Sequence, residues 1–268
     1  MKKLFAIMLL VFFCSCSRKA KNPYPQVIAA KPKNVVQVNT KTMLHRSLQN
    51  GEGFFVGNFD TDTVAGNMDD STEEKYIKRF AWDTVLPKYD FKIIIDTSYT
   101  IAAKGFEHRN IGFTKEGRID FSKVFSLWKD NVECYPLLIY NNGNKPAYNK
   151  RIRFIQEAKD TDGKWKPIEF FAEVPSCIPN IVFYEYLPKK YSMLSIIKYH
   201  GGFKTKIRVK MELGRYIYYS NEIAGHINKT QFDKTIARDM LRFYCQFCDG
   251  SQPVSEELVS HAFLQKVR

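Results

Sequence analysis

The residues of this 268-residue chain best suited to chemistry are its six cysteines, which fall as Cys14-Ser15-Cys16, Cys134, Cys177 and Cys245-Gln246-Phe247-Cys248. A C-x-x-C pair serves redox chemistry when a helix N-terminus lowers the pKa of one thiol. Cys245 and Cys248 instead close a predicted helix, where the dipole disfavours the thiolate, and no strand–C-x-x-C–helix arrangement surrounds them. Zinc requires a second ligand pair at matching spacing, but Cys134 and Cys177 stand singly and the five histidines contain no H-x3-5-H. The acidic stretch GEGFFVGNFDTDTVAGNMDDSTEE, residues 51–74, lacks the EF-hand order of carboxylates and glycine. His200-Gly201-Gly202 has the form of an oxyanion loop, yet the chain has no G-x-S-x-G elbow to serve it, so the glycines read as a turn. No catalytic set, metal site or cofactor is assigned.

With enzyme chemistry unsupported, the ends and the charge become informative. Met1-Lys2-Lys3 followed by Leu4–Phe13 without a polar residue has the layout of a secretory signal. Its ten apolar residues fall short of the roughly 20 needed to cross a bilayer. Phe13-Cys14-Ser15-Cys16 resembles a bacterial lipobox of the looser Bacteroidetes type, with small Ser15 ahead of Cys16 and bulky Phe13 ahead of Cys14. The resemblance implies lipidation of Cys16 by palmitate-type chains, loss of residues 1–15 with the signal, and a protein tethered to the membrane; several chains on one cysteine hold firmly where one does not. Ser17, in place of Asp, implies the outer membrane, and basic Arg18, Lys19 and Lys21 in place of an acidic export tract imply its periplasmic face. Asp62-Thr63-Val64, Asp70-Ser71-Thr72 and Asp83-Thr84-Val85 resemble the D-[ST]-small/apolar sequon of Bacteroidetes O-glycosylation, which marks Thr63, Ser71 and Thr84.

Loss of Lys2 and Lys3 lowers the formal charge of +13 by two, so the mature chain stays strongly basic. For an exported protein the accessible acidic partners are glycans, lipid headgroups and envelope proteins, not nucleic acid. Residues 17–40, rich in Lys, Asn and Pro, read as a semi-extended tether. Of the elements that follow, 73–80 and 119–128 carry helix-like spacing, the latter through Phe121, Val124, Phe125 and Trp128. Phe91–Ile95 with Ile101 reads as a strand or hairpin. From Cys134 the pattern is steadily β, with strands expected at 135–140, 151–157, 164–169, 181–186, 193–199, 204–213 and 215–219. Turns fall at Asn141–Asn144 and Asp160–Gly163. After Phe232 the period switches to helical, with Ile236, Met240 and Phe243 as one stripe and a second candidate at 255–267.

Turns every 8 to 12 residues without a βαβ rhythm point to an antiparallel sandwich. LLIYNNGNKP, GKWKPIE, LPKKYSMLSI, GGFKTKIRVKM and IYYSNEIAG resemble the bacterial immunoglobulin-like domains of exported lipoproteins. The resemblance spans residues 133–232 and implies that Trp165 packs in the sandwich core. The expected organisation is a signal peptide at 1–15, a lipidated tether at 16–40, an N-terminal β-rich region at 41–132, an immunoglobulin-like β-sandwich at 133–232 and a C-terminal helical appendage at 233–268. In an oxidising envelope the remaining cysteines form disulfides or stay as buried thiols. Four cysteines allow three connectivities, and strand placement favours Cys134–Cys177 with a local Cys245–Cys248. The function expected is a lipid-anchored binding or structural interaction protein; the alternative is a periplasmic enzyme or enzyme accessory acting on envelope glycans through the Asp60–Glu74 loop.

Overall fold

Two eleven-residue strands, Asn131–Asn141 and Phe203–Leu213, organise the chain. The computed structural model describes residues 23–26, 34–46, 56–59, 77–78, 86–103, 107–108, 112–113, 119–120, 126–127, 131–149, 153–171, 183–213, 215–235, 237–239, 241, 259–260 and 262–264. The protein is mainly β, with chiefly antiparallel pairing. Among the described residues no helix is long and apolar enough to cross a membrane.

The first long strand, NVECYPLLIYN, carries a continuous apolar run because elements cover both of its faces. Tyr191–Ile197 pairs antiparallel along one side, setting Cys134 opposite Ile197 and Tyr140 opposite Tyr191. Phe91–Ile95 pairs along the other side, and Ile101–Ala103 pairs with the beginning of the strand. Val56–Phe59 extends the sheet beyond Tyr191–Ile197. The second long strand, FKTKIRVKMEL, alternates instead: Ile207, Val209, Met211 and Leu213 are buried, whereas Lys204, Lys206 and Arg208 point outward. Arg153–Lys159 lies on one side of it and continues through a turn into Trp165–Pro167. Gly163 takes φ +78° there, and the backbones of Asp160 and Lys164 close the turn at 2.9 Å. Tyr216–Tyr219 and Ile223–Ile227 share its other side, one pairing with each half.

The two sheets share one apolar core, which includes Leu137, Ile139, Leu194 and Ile196 of the first and Phe154, Ala158, Val209 and Met211 of the second. They also join at an edge. Ile93 bridges Ser220 in parallel, and the Asn221 side chain then stands in for a strand: its Oδ1 accepts from the Ile95 N–H at 2.6 Å and its Nδ2 donates to the Ile95 carbonyl at 3.1 Å. Between the sheets sits Glu169, wholly buried at 0 % exposure. Its carboxylate accepts from the Gln156 backbone N–H at 2.8 Å, the Gln156 side-chain amide at 2.9 Å and the Tyr199 hydroxyl at 2.6 Å. Gln156 Nε2 donates in addition to the Ile197 carbonyl at 3.0 Å, so this cluster ties one sheet to the other.

Several expectations change. Ile77–Lys78 is a strand against Phe183–Tyr184, not part of a helix. Ile119–Asp120 and Ser126–Leu127 are likewise strands, paired with Gly112–Phe113 and Glu107–His108, so strand pairing takes both ends of the expected helix, while 121–125 lie outside the described residues. Phe91–Ile95 is a strand, one of the two forms expected of it, and like Ile101–Ala103 it pairs with Asn131–Asn141 and not as a hairpin. Val35–Val36 pairs with Asn131–Val132 and Val38 is buried beside Tyr199, so the chain enters the folded body before residue 40, where the tether was expected to end. After Phe232, residues 237–239 and 241 are helical, and the buried side chains Ala237 and Leu241 sit four apart. Farther on, Leu264 reaches the outer face of the second sheet and covers Ile155 with Phe171.

Glu169→Ala would remove the buried acceptor of the Gln156 backbone N–H, of one Gln156 side-chain N–H and of the Tyr199 hydroxyl. Each buried group left without its partner costs ~1–3 kcal/mol, so a loss of roughly 3–4 kcal/mol in unfolding free energy is expected from urea denaturation. An unchanged midpoint would remove this cluster from the account of how the sheets are held.

Candidate functional site

The strongest assembly of charged and aromatic groups lies outside the core, on the outer face of the second sheet. Pairing sets Glu157 opposite Arg208, Trp165 opposite Lys159 and Tyr219 opposite Lys210. Arg208 consequently rises between two rings, its guanidinium carbon 4.3 Å from the centroid of Trp165 and 4.1 Å from that of Tyr219. The Lys159 ammonium stands 6.0 Å from the Trp165 centroid. Cation and ring therefore alternate as Lys159, Trp165, Arg208, Tyr219, each contact worth ~0.5–2 kcal/mol according to how far it is shielded from water. Nε and Nη2 of Arg208 both donate to Glu157 Oε2, at 2.9 and 2.7 Å, which fixes the guanidinium from beneath.

Glu157 also faces the other half of the sheet. Its Oε1 lies 3.7 Å from Lys210 Nζ, and Lys210 donates to the carbonyl of Phe263 at 3.1 Å. Burial there holds the Lys210 ammonium below its ordinary pKa range in spite of Glu157. The C-terminal residues thus cover the sheet around Ile155 and Lys210, whereas Lys204, Lys206, Tyr219, Ala224 and His226 stay open or largely so. Within the open part Lys206 donates to Glu222 at 2.8 Å. The carboxyl of Glu222 is held below the usual range, first by that hydrogen bond and then by the charges of Lys206, Lys159 and Arg208.

A second polar cluster lies where the N-terminal segment meets the first sheet. Glu133 Oε1 accepts from Lys198 Nζ at 2.8 Å, and Glu133 Oε2 meets His200 Nε2 at 2.8 Å. Lys198 also lies 5.6 Å from the Tyr135 ring centroid. The His200 N–H donates to the Val38 carbonyl at 2.8 Å. Gly201 is required by close approach: a Cβ there would lie 2.1 Å from the carbonyl carbon of Ile227. Gly201 is thus a packing device, whereas a Cβ at Gly202 would meet nothing within 4 Å.

Of the residues singled out by sequence, Cys134 is fully buried in the first long strand, while Cys16, Cys177, Cys245, Cys248, Thr63, Ser71, Thr84, Trp128 and the whole Asp60–Glu74 loop lie outside the described residues. Trp165 is described and corrects an expectation: it stacks on Arg208 on the outer face and does not fill the core. The charged rows were present in the sequence as the alternation of KTKIRVK, but the register that aligns Glu157, Trp165 and Tyr219 with it is long-range. The pairing of Glu133 with His200, 67 residues apart, had no local signal. Among the described residues no group of three or more His, Cys, Asp or Glu side chains converges to hold a metal.

Burial acts to raise the pKa of Glu133, and the hydrogen bonds from Lys198 and His200 outweigh it, so the net direction is down. A carboxyl depressed in the folded state contributes stability that is present above its unfolded pKa, ~4.3, and is lost as pH falls through the lower folded value. Lys198→Ala should raise the Glu133 titration midpoint in carboxyl-detected NMR and move the onset of acid destabilisation to higher pH; a midpoint that stays put would break this assignment. No protein-family model matches the chain, and neither a curated protein nor a solved structure shows significant similarity to it.

Proposed function

We propose that this chain is a lipid-anchored binding module of the bacterial cell envelope, built on an immunoglobulin-like sandwich and holding an acidic partner on the outer face of its second sheet. The observation that carries the reading is the alternation of Lys159, Trp165, Arg208 and Tyr219 on a solvent-facing sheet above a filled core. Cores need apolar side chains; an ordered stack of cations and rings outside one is the composition of a recognition surface. The formal charge of +13 favours an acidic partner.

Strand order supports the sandwich type. The sequence Phe91–Ile95, Asn131–Asn141, Tyr191–Ile197, Val56–Phe59 across the first sheet corresponds to an A-B-E-D order, and Trp165–Pro167, Arg153–Lys159, Phe203–Leu213, Tyr216–Tyr219 to C′-C-F-G. Val56–Phe59, which precedes the A-like strand in the chain, occupies the D position and is the departure from that pattern. An enzyme reading would rest on Glu133, Lys198 and His200, but both Glu133 oxygens are already engaged by its neighbours. The anchor reading rests on the lipobox-like Phe13–Cys16 stretch and the apolar run before it.

Cys16→Ala should shift the protein from the membrane fraction to the soluble one, and mass spectrometry of the wild-type protein should find an acylated Cys16 at the N-terminus. Retention of the variant in the membrane would sink the anchor. For the binding face, a photo-crosslinking side chain at exposed Ala224 should capture a reproducible envelope component in native membranes, whereas one at exposed Thr97 should not. Equal capture at both positions, or none at Ala224, would overturn the binding face.

A further inference from the structure

The cations of the open face are not scattered. Lys204, Lys206 and Arg208 are successive outward positions of one strand, and outward positions in an antiparallel strand repeat every ~6.8 Å. Exposed His226 lies opposite Lys204 and exposed Ala224 opposite Lys206, so the neighbouring strand presents a low floor beside the row. Tyr219, 48 % exposed, borders the row at its Arg208 end.

From this row we infer that the ligand is a linear acidic polysaccharide, carrying carboxylate or sulfate groups, lying along Phe203–Leu213 with its anions on Lys204, Lys206 and the Arg208 stack. The inference rests on the binding reading above and names the class of partner. Three features select it. The row is linear, which suits a polymer with charges repeated along its length. Of the ring faces that single-stranded nucleic acid needs for stacking bases, Arg208 covers one of Trp165 and one of Tyr219, and Lys159 stands 6.0 Å from the Trp165 centroid. A membrane surface would be gripped better by exposed apolar side chains, and among the described residues the exposed large ones are Val35, on the first sheet, and Tyr219.

Glu222 supplies an independent indication. It is the face's own carboxylate, exposed yet kept ionised by Lys206 with help from Lys159 and Arg208. The field of this surface therefore stabilises an anion at a position open to solvent. A polymer anion reaching Lys206 meets the charge of Glu222 already bonded there, so Glu222 is a built-in competitor. Removing a contact cation should weaken binding, and removing Glu222 should strengthen it.

The test is titration calorimetry of the full chain with polygalacturonate and with heparin, beside a thymidine oligonucleotide and phosphatidylglycerol vesicles. Binding of at least one of the two polysaccharides is expected, tighter than to the oligonucleotide or the vesicles and weakening with salt. Reversing both exposed lysines, Lys204→Glu with Lys206→Glu, should weaken it by about tenfold or more, and Glu222→Gln should strengthen it about two- to fivefold. Circular dichroism and thermal unfolding check that the surface variants keep the fold; the single variant Lys204→Gln, which leaves the Lys206–Glu222 pair intact, should still weaken binding if the double variant does not fold. Weaker or unchanged binding in Glu222→Gln overturns the inference, as does tighter binding of the oligonucleotide or of the vesicles. No binding of either polysaccharide overturns the ligand class alone, because the binding face itself is decided separately by capture at Ala224.

Discussion

A carboxylate enclosed between two sheets constrains the rest of this structure. Glu169 has no exposure to water, so each of its oxygens must be satisfied by protein donors, and the donors come from both sheets: Gln156 from the second, Tyr199 from the chain just beyond Tyr191–Ile197 in the first. Apolar packing alone tolerates small slips of one sheet over another, since the hydrophobic effect has no direction. Hydrogen bonds to a buried charge do not. Gln156 strengthens the constraint by spanning the gap itself, from Glu169 to the Ile197 carbonyl. What is fixed is therefore a register between sheets, beyond the register within each.

That register sets the surface as well as the interior, because neighbouring residues of a strand face opposite ways. Gln156 points in to Glu169, and Glu157, the next residue, points out and holds Arg208. Tyr199 points in to Glu169, while Lys198 and His200 on either side of it grip Glu133. Each polar cluster on the surface is thus one peptide unit away from the buried one. The edge junction adds a second tie: Ser220 and Asn221 interrupt the strands beside Phe203–Leu213, and the Asn221 amide substitutes for a backbone partner at Ile95. The same interruption divides Tyr219 from Ala224 and His226, so the aromatic end of the outer face and its low, open end fall on separate short strands flanking one long one.

How much of this was legible depended on the range of the pairing involved. KTKIRVKME states its two faces outright, because alternation is a local signal, and the Asp160–Gly163 turn is stated by residues that favour it. The faces of KWKP are not. Trp165 looks like a core residue until its position opposite Lys159 is known, since a large aromatic ring suits a core and a cation stack equally well. Between 119 and 128 the spacing of Phe121, Val124, Phe125 and Trp128 satisfies a helical period, but strands at either end of that span find partners from earlier in the chain. Glu133 and His200 are 67 residues apart and meet because adjoining chain segments run antiparallel. Neither neighbourhood advertises the other.

The alternation of cations and rings bears on how such a face would bind at all. A lysine free in solution loses rotamer entropy when it grips an anion, which is why exposed ion pairs contribute so little. Arg208 has already lost that freedom: Glu157 holds two of its nitrogens, and Trp165 and Tyr219 close over its plane. Its charge is thus preorganised, although the nitrogens bonded to Glu157 are not free to bond a ligand. Lys204 and Lys206 differ in being exposed for contact, Lys206 beside its ion-pair partner Glu222. On the proposed reading the fixed guanidinium would supply a steady field and the exposed ammonium groups the bonds, an arrangement suited to a polymer that must slide into register along the strand. On that reading Glu222 would oppose such a polymer at one point, because it already holds Lys206 beside the arginine fixed between two rings.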